Sequence, residues 1–310
     1  MADCCINGGQ ASKDKLLFKY NGTPASTDVF LVNGSSIDIK TTVASREQDR
    51  VGSGMMNSKK TSYDKNNITV DYTAEMSVEG TGAKGTPPKI ADFYKASGHT
   101  ETIDAGNSVT YTPHFDPIDG STAIVYKGGS QKSTYTGLIA NMTLSGSVGE
   151  ALVAKFELKG YGDLQKSTEN LADSVIESLA EFTVDFVTAV TVSGTEICLS
   201  SFELSQNAEI KQGYYAGCKK IKRTDLSPSL NLTALKALND PGAFVDFLNQ
   251  ASKSVTITCS NGAGEILEIK STNAIPKPVE EGENDGDLTE TRPYDLKNDE
   301  NGVPYTITYK

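Results

Sequence analysis

The chain has 310 residues, a net charge of −11, no tryptophan and 28 glycines. No apolar run approaches the roughly 20 residues a bilayer-spanning helix requires, and the acidic balance argues against gripping nucleic acid through its phosphates. Five cysteines (Cys4, Cys5, Cys198, Cys218, Cys259) contain no C-x-x-C pair, and with only His99 and His114 beside them they give neither a disulfide framework nor a zinc site.

The length allows two ordinary domains. The N-terminus lacks a basic segment followed by an apolar core, so the expectation is a chain made and folded in a cytoplasm. Residues 1–28 are polar and Gly-rich around one apolar patch (Leu16, Leu17, Phe18) and read as an N-terminal arm. Strands are predicted at 29–33 and 36–44, followed at 45–66 by a charged stretch with no apolar period. A polar loop of about 20 residues is uncommon inside a compact domain and is usually functional. Residues 68–79 alternate cleanly: Ile68, Val70, Tyr72, Ala74, Met76 and Val78 face one way and Asp71, Glu75 and Glu79 the other, as in a sheet with one wet face. A short helix near 88–97 leads to strands at 108–112, 122–127, 135–147 and 151–161. Residues 164–181 place Leu171, Val175, Ile176 and Leu179 at helical spacing and read as an amphipathic connector. The region 182–310 then has its own polar loop at 206–225. It ends in an acidic segment: residues 277–310 hold nine acids against four bases.

The order of these elements occurs twice. ITVDYTAEMSVEG, a Gly-rich turn, KIADFYKASG and SVTYT are followed, after residue 225, by LSPSLNLTAL, KALNDPG, AFVDFLNQAS and SVTIT. This reads as an ancient duplication, with modules at 29–163 and 182–310 and an acidic insert at 279–301 in the second.

Motifs for chemistry fail on context. Gly80-Thr-Gly82-Ala-Lys-Gly85 is a literal G-x-G-x-x-G, but the next helix starts late and no βαβ succession surrounds it, so it reads as a turn. The acids around Gly286 lack a closing Glu, since Arg292 stands in that place, and resemble a calcium loop only in composition. No G-x-S-x-G is present. The reading is a non-enzyme with no catalytic, cofactor-binding or metal residues and no cofactor. The basic run Lys219, Lys220, Lys222 and Arg223 is read as a protein–protein contact.

The segments VDYTAEMSVEGTGAKGTPPKIADFYKASGHTETIDAGNSVTYTP and TGLIANMTLSGSVGEALVAKFELKGYG resemble the tail tube (major tail) proteins of long-tailed bacteriophages; the second module, from VTVSGTEICLSSFELSQNAEI onward, resembles them more loosely. The resemblance implies a mostly β fold of two tandem tail-tube-like modules, each a β-sandwich or half-barrel of antiparallel strands with one short flanking helix. It also implies a virion protein assembled in the bacterial host cytoplasm. Its partners would be copies of itself, in trimeric pseudo-hexameric rings stacked into a tube, and other tail proteins at the tube ends. Double-stranded DNA would pass without specific binding, and no membrane is involved. The inner sheets of neighbouring copies would join into one barrel. On this reading Asp38, Asp71, Glu75, Glu79 and Glu157 are lumen candidates. Arg46, Glu47, Asp49 and Arg50, with Lys219, Lys220, Lys222 and Arg223, are candidates for ring-to-ring stacking. The alternatives are another tail ring component (terminator or baseplate) and a two-domain β-sandwich adhesin or carbohydrate binder. The last would more often carry exposed tryptophan.

Overall fold

The computed structural model describes residues 14–33, 37, 39–49, 59–116, 118–169, 171, 179–184, 190–215, 218–236, 242–284 and 286–310. Strands make up 61% and helices 5% of the chain, as the alternating sequence requires. The first half contributes β1 (Lys15–Lys19), β2 (Val29–Phe30), β3 (Ile39–Asp49), β4 (Lys59–Ser77), helix α1 (Ala91–Ala96), β5 (His99–Asp104), β6 (Ser108–Pro113), β7 (Ser121–Lys127), β8 (Gln131–Ser147) and β9 (Val153–Thr168). The second contributes β10 (Val190–Val192), β11 (Thr195–Glu196), β12 (Leu199–Ser205), β13 (Ala208–Tyr215), β14 (Cys218–Leu226), β15 (Ser229–Leu235), helix α2 (Gly242–Asn249), β16 (Lys253–Ser260), β17 (Ile266–Pro276), β18 (Glu280–Asn284), β19 (Asp287–Leu296) and β20 (Thr306–Tyr309).

One layer runs β3-β4-β9-β8-β12-β15-β19-β18, antiparallel throughout. A second runs β5-β6-β20-β17-β16-β10-β11, and the last residues of β17 also pair with β19. The two halves are stitched twice, by β8–β12 in the first layer and by β6–β20 in the second. At the first seam Gly146 lies opposite Phe202, and a Cβ there would meet Val184 at 2.7 Å, so only glycine allows the close approach. A single apolar cluster runs through both halves, so they share one core.

Aromatic rings hold the layers together. Tyr94 on α1 lies 4.7 Å from Tyr111, 5.8 Å from Phe156 and 6.4 Å from Tyr309, which joins β6, β9 and β20 around one helix. Phe93 stacks on Phe18 at 4.0 Å and meets Phe30 edge-on at 5.0 Å.

Several expectations change here. The stretch 14–28 is no arm: β1 pairs with β2 and β7, and Leu16 and Phe18 are fully buried. Leu17 faces the other way, into a small cluster with Ile124 and Tyr126, so both faces of β1 are covered and no alternation betrays it. The described parts of the polar stretches 45–66 and 206–225 are mostly hairpin strands, not loops; 50–58 and 216–217 lie outside the described residues. The first extends β3 and β4, and the second is β13–β14, paired from Ala208↔Leu226 to Tyr215↔Cys218. Backbone pairing forms these ribbons without an apolar period to announce it. Residues 164–168 belong to β9, not to a helix; 170 and 172–178 of the expected connector lie outside the described residues. The acidic insert is ordered as β18 and β19, and β19 is an interior strand of the first layer.

Candidate assembly surface

The first layer turns one face to the core and one outward, and the pairing registers fix which residues share the outward face. On β4, Val70, Tyr72, Ala74 and Met76 are buried while Asp71, Thr73 and Glu75 are exposed. Crossing the strands, Lys40, Asp71 and Lys159 stand in one row. Thr73 stands opposite Glu157, and Glu75 opposite Lys155. The sheet continues with Asn141, Thr143, Ser145 and Ser147 on β8, then Ser201, Glu203 and Ser205 on β12. Ser229, Asn231 and Thr233 on β15 and Thr291 and Asp295 on β19 complete it. Small hydroxyl and amide side chains dominate, and the charges alternate in sign across the strands. Lys155 and Glu157 bridge at 3.1 Å, and Lys277 holds Asp295 at 2.5 Å. Around the seam between the halves the face is hollowed by a shallow depression of about 410 Å³ lined by Ser145, Ser201, Glu203, Asn231 and Thr291.

Of the acids singled out in the sequence, Asp71, Glu75 and Glu157 meet on this face. Glu79 lies beyond the end of β4, where its carboxylate binds Lys89 at 3.3 Å. Asp38 lies outside the described residues. Sequence reading missed that Lys40, Lys155 and Lys159 stand between these acids. The alternation of β3 and β9 placed them on the wet faces, but which strands lie side by side is a property of the register.

Two ribbons leave this layer. β4 pairs with β9 only from Thr69 to Ser77, so residues 59–63 are paired with β3 alone, opposite 45–49. Arg46, Glu47 and Asp49 have their backbone on this ribbon, and Arg50 lies outside the described residues. The β13–β14 hairpin is tied down across β9. The Tyr161 hydroxyl donates to the Gly213 carbonyl at 2.6 Å, and the Gln212 amide donates to the Gly160 carbonyl at 2.9 Å. Lys220 and Lys222 are exposed on it, and Lys219 contributes its backbone to β14. Arg223 differs from its neighbours in the basic run. Its guanidinium turns inward, donating to the Ser97 and His114 carbonyls and lying 5.7 Å from the Phe115 ring centre.

The glycine-rich turn is structural glue. Gly82 and Gly85 take positive φ (74° and 72°), and the Thr81 amide and hydroxyl both donate to Glu265 of the second half, at 3.0 and 2.7 Å. Among the described residues no group of three or more His, Cys, Asp or Glu is placed to hold a metal ion, and no helix is long and apolar enough to cross a membrane.

A two-layer antiparallel protein whose most extensive feature is a broad, polar, strand-built face belongs to the class of structural β proteins. A family model described as phage tail tube protein matches residues 18–297, nearly the whole chain, and the chain belongs to this family. It is therefore a structural component of the virion tail. No curated protein matches it.

Proposed function

We propose that the chain polymerises into rings that stack as the hollow tail tube, the conduit for DNA from capsid to host. Each ring would hold three copies, with pseudo-sixfold character from two modules per chain. The observation that carries this reading is the outward face of the first layer, which spans both halves and is mostly polar, with Val153, Leu235 and Pro293 as its apolar members.

Such a face suits a conduit wall. Hydroxyl and amide groups give phosphates no cationic grip, and lysines matched against acids leave no strong field of either sign. Asp71, Glu75 and Glu157 are the lumen residues on this reading, each opposite a lysine or a hydroxyl. The two ribbons are the ring-to-ring contacts, through Arg46, Glu47 and Asp49 on one, with Arg50 next in the sequence, and Lys219, Lys220 and Lys222 on the other. A two-stranded ribbon beyond its sheet is only marginally stable alone, which supports a partner for the β3–β4 extension. Heterologous contacts repeated along an axis generate filaments.

Negative-stain electron microscopy of the purified protein at rising concentration tests this. Hollow tubes with a regular axial repeat are expected. Isolated rings that never stack would favour a terminator or baseplate component, and persistent monomers would overturn the proposal.

A further inference from the structure

Helix α2 leaves exposed the face that α1 buries. With Asp92-Phe93 set against Asp246-Phe247, Ile90, Ala91 and Tyr94 correspond to Phe244, Val245 and Leu248. The first three are buried, whereas the second three are 59%, 43% and 62% exposed. The difference lies in what covers each helix. α1 lies under the N-terminal strands: Phe93 meets Phe18 and Phe30, and Asp92 binds Lys19 of β1 at 3.2 Å. On α2 the Asp246 carboxylate binds Lys253 of β16 instead, at 2.7 Å, and among the described residues nothing buries Phe244 or Leu248. Neighbouring exposed apolar side chains of this kind mark a contact with a partner.

A matching hollow exists at the other end of the molecule. Val29, Phe30, Leu31, Met76 and Ile90 supply the apolar lining of a cleft of about 130 Å³. An apolar cavity of about 150 Å³ takes up a benzene molecule, so this cleft suits one phenyl or leucyl side chain. Leu31, one of its walls, is 54% exposed. Cleft and helix stand at one level on the core-facing side of the first layer. Met76 begins a row that runs through Ala154, Leu144, Leu204 and Leu230 to Tyr294, crossing from β4 to β19. The cleft lies at the Met76 end. α2 lies at the Tyr294 end: it packs against β17, whose Pro276 pairs with Tyr294, and its Asp246 carboxylate adds to the burial that raises the Tyr294 pKa.

We propose that α2 of one copy docks its Phe244 and Leu248 face on a second copy at the Val29–Leu31 cleft. The inference rests on the self-assembly reading above and names an apolar contact that holds neighbouring copies together. Head-to-tail repetition sets the Tyr294 end of one copy beside the Met76 end of the next, so helix and cleft meet at the same level. One surface is a knob and the other a hollow, so the contact is heterologous and passes from copy to copy until a ring closes. The N-terminal strands then serve twice: Phe30 covers α1 of its own chain, and Leu31 covers α2 of the neighbour.

The test uses the full chain. Phe244 is replaced by the photoreactive p-benzoylphenylalanine, and the variant is co-assembled with isotope-labelled wild-type chains and irradiated. Mass spectrometry is expected to find cross-links from the variant to labelled peptides that contain residues 29–33 or 76–90. In parallel, Leu248→Glu and Leu31→Glu are each expected to raise the concentration needed for assembly by about tenfold or more. Both residues are exposed, so the thermal unfolding of the unassembled chain should not change. If wild-type chains assemble while both variants assemble equally well, or the cross-links fall elsewhere, the α2 contact is overturned and the self-assembly reading stands. Wild-type chains that never assemble overturn both.

Discussion

Arg223 donates to the carbonyl of Ser97 at 3.0 Å, joining residues 126 positions apart. The contact fastens the β13–β14 hairpin to the C-terminal end of α1, where Gln206 also donates to the Ser97 carbonyl, at 2.7 Å. Removing Arg223 leaves the carbonyls of buried Ser97 and half-buried His114 short of a charged donor. Arg223→Ala is expected to destabilise the chain by about 1–3 kcal/mol. Arg223→Lys should not restore it, because one ammonium cannot span both carbonyls as the planar fork does. Urea unfolding of the three proteins checks this; equal midpoints would refute it.

His99 predicts a pH dependence. Its ring is fully buried, and burial pushes its pKa down to about 3. Nδ1 lies 3.1 Å from the Tyr94 carbonyl, which can only accept, so Nδ1 carries the proton and Nε2 accepts from the Tyr305 hydroxyl at 2.9 Å. The folded state therefore keeps this residue neutral while the unfolded state protonates near the ordinary 6.5. Its contribution to stability is complete above pH 6.5 and is lost as pH falls from there towards 3, by about 1.4 kcal/mol per unit. Thermal melts from pH 7 to 4 should show a slope that His99→Gln reduces.

Glu290 and Arg292 form a buried ion pair on the core-facing side of β19, with Arg292 Nε donating to Glu290 at 2.7 Å. Arg292→Ala strands a carboxylate in the interior and is expected to cost about 3–5 kcal/mol. The double change Glu290→Leu with Arg292→Met should be close to neutral by comparison. Chemical denaturation of the single and double variants separates the pair's net worth from the cost of breaking it.

Phe18 tests the role of the N-terminal strand. It is fully buried and stacked on Phe93, so Phe18→Ala should destabilise by about 3–5 kcal/mol. A change within experimental error would mean that β1 is dispensable.

Period-two alternation made β4, β6, β8 and the start of β9 legible from sequence, because each has one buried and one wet face. The same pattern put Asp71, Glu75 and Glu157 on the wet side. β1 was lost because both its faces are covered. The ribbons at 45–49 and 208–226 were lost because the first is polar throughout and the apolar residues of the second follow no sustained alternation. The inward turn of Arg223 was beyond reach as well, since nothing in Lys219-Lys220-Ile221-Lys222-Arg223 distinguishes the cation that meets Ser97 from Lys220 and Lys222, which face water. Nor could local pattern reveal that Lys40 and Lys159 flank Asp71, which depends on pairings between distant segments.

The β6–β20 seam bears on how the chain is made. Thr110 on β6 meets Thr308 on β20 across 198 positions. A ribosome therefore finishes the first half long before that half can complete its second layer, and much of the shared core must wait for late strands to arrive. Such non-local closure slows folding. It also makes the whole chain a condition for the core: a chain cut short before β20 lacks the strand that joins β6 to β17 and is expected to leave the shared core open.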